Sequence, residues 1–191
     1  MLEISKYAFL FELEEGLLSF HLPRWLELPE ESRLRQATLT YINNALSPIL
    51  GAHEPLTGTM VQNYIKWGLL PRPENRRYSR KHISRLLVLA ILKEVLPIQK
   101  IYSGIDLQTR LLSDAEAFDL FGHLLESALR RACRFPEQIN RGQEILELEG
   151  LKTGITGATL AFVCESFAFK LIAERLIENK GMTNILAEDR K

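Results

Sequence analysis

A chain of 191 residues with 24 basic and 24 acidic side chains has no formal net charge, and 46% of it is hydrophobic. That describes a soluble globular protein with enough apolar mass for a core, as one compact unit or one domain with a second lobe. No apolar run reaches the roughly 18 residues of a membrane span, and Cys133 and Cys164 make no disulfide framework. "YAFLFELEEGLL" near the N-terminus carries acids and lacks the basic leader and cleavage site of a signal peptide, so a reduced, cytoplasmic protein is expected.

Residues 1–36 show no clear periodicity and read as an N-terminal extension. In "FHLPRWLELPEES" two prolines bracket Trp25 and Leu26, which predicts an extended segment packed by its aromatic ring. Gln36–Ile49 reads as a helix, with Leu39, Ile42 and Leu46 at helical spacing, Pro48 near its end and Gly51 after it. A second helix starts at Thr57, a good N-cap, and runs to Lys66. Met60, Val61, Tyr64 and Ile65 form its apolar stripe. Thr59, Gln62, Asn63 and Lys66 form the opposite face, rich in hydrogen-bonding groups. That face could read base edges, since Gln and Asn can pair twice with adenine; taken in isolation, a plain amphipathic surface helix is the commoner source of such a pattern. Gly68 supplies the left-handed stop.

"LLPRPENRRYS" comes next. Pro71 and Pro73 force extended backbone, Glu74-Asn75 is placed at a turn, and a short hairpin or tight loop is expected. Ser79 caps a third helix, Arg80 to Val95, apolar on so much of its surface that it must be buried on more than one side. "IQKI" gives a short further turn. Ser113 to Cys133 reads as a helix with an acidic first turn and Arg130 and Arg131 at its end, both favourable to the helix dipole. Phe135 to Gly157 reads as loop plus a short helix, and Thr159 to Glu178 as the last long helix, with two apolar stripes. Two stripes fit a central helix or one shared with a second subunit.

Neutrality conceals a local field. Between Thr57 and Ile101, nine cations (Lys66, Arg72, Arg76, Arg77, Arg80, Lys81, Arg85, Lys93 and Lys100) face only Glu74 and Glu94, a charge of +7. The flanks are −4 (residues 1–56) and −3 (residues 102–191). Such a segment suits a polyanion, or a solvated face that pairs with acidic flanks of the same chain.

The stretch "MVQNYIKWGLLPRPENRRYSRKHISRLLVLAILKEVLPIQKI" resembles the DNA-binding head of MerR-type regulators. The features that carry the resemblance are Tyr64 at the end of a recognition helix, the turn Gly68-Leu69-Leu70-Pro71, the wing from Arg76 to Ser79, the helix Ile83 to Leu92, and the turn Ile98 to Ile101. Glu74-Asn75 stands where those regulators carry Gly-Tyr, and no long charged heptad helix follows. A wider match that takes in "LPRW" and "SPIL", over about residues 20 to 105, is similar to a bacterial family, the domain of unknown function 1836. The resemblance implies a mainly α fold, with a MerR-like winged helix-turn-helix head over 37–105 and a helical C-terminal lobe over 106–191. It places the helix Thr57 to Lys66 in the major groove, with Arg76 and Tyr78 reaching the phosphate backbone from the wing.

The function expected is therefore a DNA-binding transcriptional regulator. Its DNA-binding residues would be Thr59, Gln62, Asn63, Lys66, Arg72, Arg76, Arg77, Tyr78, Arg80 and Lys81, with double-stranded DNA as partner. The alternative is a helical protein that binds a protein or a small ligand through its C-terminal half, where Phe118, Phe121, Phe162, Phe167 and Phe169 could line a pocket or simply be core. A homodimer through the C-terminal helices and a small-molecule effector stay open. An enzyme is the weakest reading: His21, His53, His82 and His123 are scattered, Glu14-Glu15 and Glu30-Glu31 would splay on a helix, and "GITGA" lacks a phosphate-loop context. No cofactor or metal is expected, and the two cysteines read as inert core residues.

Overall fold

The computed structural model describes residues 16–51, 55–141 and 154–178. The expectations placed on 1–15, on His53 and on 142–153 lie outside them. A short strand, β1 (Arg33–Leu34), leads into α1 (Arg35–Leu50) and α2 (Gly58–Lys66). Strand β2 (Arg77–Tyr78) then precedes α3 (Arg80–Leu92), α4 (Ile98–Leu111), α5 (Asp114–Arg141) and α6 (Gly154–Glu178). The fold is mainly α. The strands form one antiparallel pair, Arg33 opposite Tyr78 and Leu34 opposite Arg77.

Helix α3 organises the core. Ile83, Leu86, Leu87, Leu89, Ala90 and Ile91 are fully buried on it, because α1, α4, α5, α6 and β2 all pack against this one helix. Each Leu or Ile so enclosed contributes about 1.5–3 kcal/mol of transfer free energy. Helix α3 ends at Leu92 rather than Val95: Lys93 caps it, and the turn that follows leads to Pro97. The apolar core runs without a break from Leu17 through Ile172, so the first two helices and the last two share it.

Side chains close the joints between helices. Pro48 near the end of α1 has no N–H to give to the Asn44 carbonyl, and the Ser47 hydroxyl donates to that oxygen instead, at 3.0 Å. Arg175 of α6 then donates to the carbonyls of Pro48 and Ile49, satisfying the end of α1. The Asn43 side chain bonds both backbone groups of Leu56, and Lys93 donates to the Pro55 carbonyl at 2.5 Å. Those contacts set α2 against α1 and α3.

Three helices run longer than the sequence-based expectation. The "IQKI" turn opens a fourteen-residue helix, α4. Ser103-Gly104 looks like a break, but Ile98, Ile101 and Ile105 keep helical spacing across it, and one interior glycine costs only about 1 kcal/mol. Helix α5 continues past Cys133 to Arg141. Helix α6 begins at Gly154, five residues before Thr159, so the glycines at 154 and 157 are helical. Cys133 and Cys164 are buried and not joined in a disulfide, and burial pushes the Cys164 thiol far up, which leaves it unreactive.

The segment before β1 is tied down rather than trailing. Leu17, Phe20, Leu22 and Leu28 are buried, and a 3₁₀ turn at Trp25–Glu27 stands where an extended run is expected. Trp25 packs on the core while Leu26 points into solvent. Glu126 of α5 holds this segment: it accepts from the Leu22 N–H at 3.0 Å and from Arg24 Nη2 at 2.6 Å. Asp119 accepts from the Trp25 N–H at 2.7 Å. A Cβ at Gly122 would meet the Arg24 guanidinium, so a larger residue there would have to displace the end of that side chain. Burial pulls the Glu126 carboxyl upward, but the hydrogen bonds from Arg24 and Leu22 outweigh it and leave the group below the ordinary carboxylate value.

Removing Glu126 leaves the Leu22 N–H without its acceptor and the half-buried Arg24 guanidinium with only the Leu22 carbonyl and His123. Glu126→Ala is expected to lower the unfolding free energy by about 3–5 kcal/mol, read from the urea midpoint at unchanged slope. A loss under about 1 kcal/mol would mean that apolar contacts alone dock the segment.

Candidate nucleic-acid interface

Helix α2 is built as its sequence pattern predicts. The Thr57 hydroxyl accepts from the Met60 N–H at 3.3 Å, capping the first turn. At the other end Gly68 adopts φ +76°, and the N–H groups of Leu69 and Leu70 both return to the Tyr64 carbonyl. The left-handed glycine lets the chain reverse, so that Leu69 and Leu70 bury beside Val61 and Tyr64. With that face fixed inward, Thr59, Gln62 and Lys66 are exposed and Asn63 is half-exposed. Trp67 lies one helical step beyond Asn63 and Lys66 and is 57% exposed, an aromatic surface beside the polar face.

The segment after α2 is a hairpin. Arg77 N–H donates to the Glu74 carbonyl at 2.8 Å, and the two residues between them, Asn75 and Arg76, have φ of +47° and +62°. Positive φ at both central positions belongs to the type I′ turn, whose twist matches antiparallel strands. The turn is thus centred on Asn75-Arg76, one residue later than the Glu74-Asn75 expected. Asn tolerates this backbone well, whereas an arginine in the left-handed region costs about 1–2 kcal/mol. Pairing of β2 with β1 and a 3.0 Å bond from Arg77 to the Ser32 carbonyl anchor the hairpin.

That pairing brings in cations the sequence reading leaves in its acidic N-terminal section. Arg33 sits opposite Tyr78 with its guanidinium 5.4 Å from the centre of the Tyr41 ring. Arg35 opens α1 and its side chain lies against Gly58, the first residue of α2. Only the strand register could place Arg33 and Arg35 here, and a two-residue strand has no periodicity to read.

Of the nine basic residues between Thr57 and Ile101, eight divide into two sets, and the ninth, Lys100 on α4, stands apart from both. Lys81 and Arg85 both pair with Asp114 at the start of α5, at 2.6 and 3.5 Å, and Lys93 is engaged with Pro55 and Glu94. Lys66, Arg72, Arg76, Arg77 and Arg80 have no acidic partner within ion-pair distance among the described residues. Tyr78 belongs to neither surface. It is 4% exposed, its ring meeting the His82 imidazole edge-on at 5.6 Å between centres.

His82 supports the hairpin from beneath. Its Nδ1 accepts from the Ser79 N–H at 3.1 Å, which places the proton of the neutral ring on Nε2. Nε2 faces the carbonyls of Pro71 and Arg72 without reaching full hydrogen-bond geometry. Burial above all, with the Arg85 charge, holds the imidazole below its ordinary value; the two carbonyls and Glu74 oppose this.

Among the described residues no cluster of His, Cys, Asp and Glu could hold a metal ion, and no helix is long and apolar enough to cross a membrane.

A depressed histidine means that the unfolded chain takes up the proton first on acidification. His82 therefore stabilises the fold fully above its unfolded value near 6.5 and loses that contribution as pH falls below it, down to the folded value. In thermal melts between pH 7.5 and 5, His82→Asn, which keeps an acceptor for the Ser79 N–H, is expected to show a flatter fall in Tm than the parent. Parallel curves would assign the acid sensitivity elsewhere.

A family model described as a domain of unknown function (DUF1836) matches residues 23–123. The match takes in Arg24, both strands, α1 to α4 and the first turns of α5, and ends three residues before Glu126. No curated protein and no solved structure matches the chain. Covering more than half of the chain, the family match means that the protein belongs to the DUF1836 family.

Proposed function

We propose that the protein is a transcriptional regulator that binds double-stranded DNA through a MerR-like winged helix-turn-helix. Helix α2 enters the major groove and the hairpin at Asn75-Arg76 lies on the phosphate backbone. The observation that carries this reading is the set of cations left without an acidic partner among the described residues. Lys66, Arg72, Arg76, Arg77 and Arg80, on and beside α2 and its hairpin, make up that set, while Lys81, Arg85 and Lys93 are engaged by Asp114, Glu94 and the Pro55 carbonyl. The order strand, helix, helix, hairpin, helix agrees with it.

The division of labour follows from chemistry. Phosphate contacts from the unpaired cations, with Arg33 and Arg35 beside them, supply affinity without sequence preference. Thr59, Gln62 and Asn63 read base edges, and a helix roughly 10–12 Å across with its side chains fits a groove roughly 12 Å wide. Trp67 gives α2 an aromatic flank. Lys81 serves chiefly to hold α5, and Tyr78 acts by packing the wing. An arginine kept at φ +62° is consistent with use: the backbone would be easier with glycine, and the charge is what glycine lacks.

This yields an opposed pair of effects at one residue. Arg76→Gly should raise stability by about 0.5–1 kcal/mol, yet weaken binding to all DNA sequences and reduce the slope of log K against log salt by about 0.9. Gln62→Ala should leave that slope alone and relax base choice, losing about 1–3 kcal/mol of discrimination. Both are read by anisotropy on fragments selected from a random pool. Failure of the folded parent to retain any DNA at low salt would overturn the reading.

A further inference from the structure

A cleft of about 520 Å³ opens between α3, α4, α5 and α6, on the side of α3 facing the C-terminal helices. Each helix gives it an apolar side chain: Val88, Ile105, Phe121 and Val163. Phe118 joins them, whereas Phe162 is exposed and Phe167 is buried elsewhere in the core. Close-packed interiors do not hold space of this size, and its volume is that of a small-molecule site.

The charged lining is unbalanced. Arg85 and Lys100 oppose the single carboxylate of Asp114. Asp114 is committed to Lys81 at 2.6 Å and reaches Arg85 only at 3.5 Å, long for a charge-assisted hydrogen bond. Arg85 Nε is buried without an acceptor, and Lys100 has no ion-pair partner among the described residues. An apolar cleft edged by an under-used guanidinium and a second cation is complementary to one chemistry, an apolar body ending in an anion.

We propose that this cleft binds a small amphipathic carboxylate, its hydrocarbon or aromatic body among Val88, Ile105, Phe121 and Val163 and its carboxylate on Arg85 and Lys100. The site does not depend on DNA binding and is tested without DNA. Three probes of equal chain length separate the contributions: dodecanoate, 1-dodecanol and dodecylamine, titrated into the full chain by calorimetry and thermal shift. Dodecanoate is expected to bind at one site and raise Tm. The alcohol should bind about tenfold more weakly or worse, as loss of a charge-assisted contact implies, and the amine not at all. Arg85→Gln with Lys100→Gln should bring dodecanoate down to the affinity of the alcohol and leave the alcohol unchanged. In the unmodified chain, methyl resonances of Val88, Ile105 and Val163 should shift with dodecanoate, and those of Ile42 and Leu46 in α1 should not. Equal binding of acid and alcohol would overturn the proposal. So would methyl shifts confined to other helices, an absence of binding by the folded chain, or a dimer in solution that Val163→Trp dissociates.

Discussion

A helix that is apolar all round has to be covered all round, and the rest of this fold follows from that demand. Helix α3 starts at the hairpin, where Ser79 and His82 make its first turn, and within one further turn it is enclosed by α1, α4, α5 and α6. Neither the helices before it nor those after it could enclose it alone. The N-terminal segment meets the same demand from outside, held on α5 by Glu126 and Arg24. The two halves of the chain are thus joined through a shared core and not only by a linker.

Enclosing α3 also sorts the charges. Its first two turns carry Arg80, Lys81 and Arg85, and whichever of these faces the C-terminal helices needs an anion there. Asp114 supplies one for Lys81 and Arg85, at the N-terminus of α5, where a carboxylate is favoured by the helix dipole as well. Cations pointing the other way, toward the hairpin and the end of α2, meet no such carboxylate. The asymmetry of the +7 segment is a result of packing: the core neutralises one side and leaves the other to solvent. Holding Arg76 in a left-handed conformation on the exposed side adds local strain that the paired strands and the Tyr78–His82 contact sustain.

Much of this was legible in residue order, for reasons that differ by element. The cap at Thr57, the stop at Gly68 and the 3.6-residue rhythm of Val61 and Tyr64 are local signals, and α2 agrees with them to the residue at its C-terminal end. The breadth of the apolar pattern from Ile83 to Leu92 announced a helix buried on several sides. Local signals fail where the decisive partner is distant. Arg24 and Glu126 are 102 positions apart, and nothing near Arg24 says that its segment will be clamped. Arg33 and Arg35 join the basic surface only because a two-residue strand pairs with the hairpin. The glycines at 104, 154 and 157 lie inside helices all the same, because tertiary packing outweighs a propensity cost of about 1 kcal/mol each.

Asp114 occupies a position where three requirements meet. It begins α5, it neutralises the inward side of α3, and it lies on the lining of the cleft between those helices. Lys81 is four residues N-terminal to Arg85, one helical turn closer to the hairpin, so a single carboxylate ties the wall of the cleft to the start of the basic surface. Whatever alters the distance between Asp114 and Arg85 also changes the electrostatic environment of Lys81, because both cations draw on the same carboxylate, Lys81 through Oδ2 and Arg85 through Oδ1. The coupling needs no long path through the protein. It needs only that α3 be at once the support of the hairpin and the wall of the cleft, as its enclosure by the other helices requires.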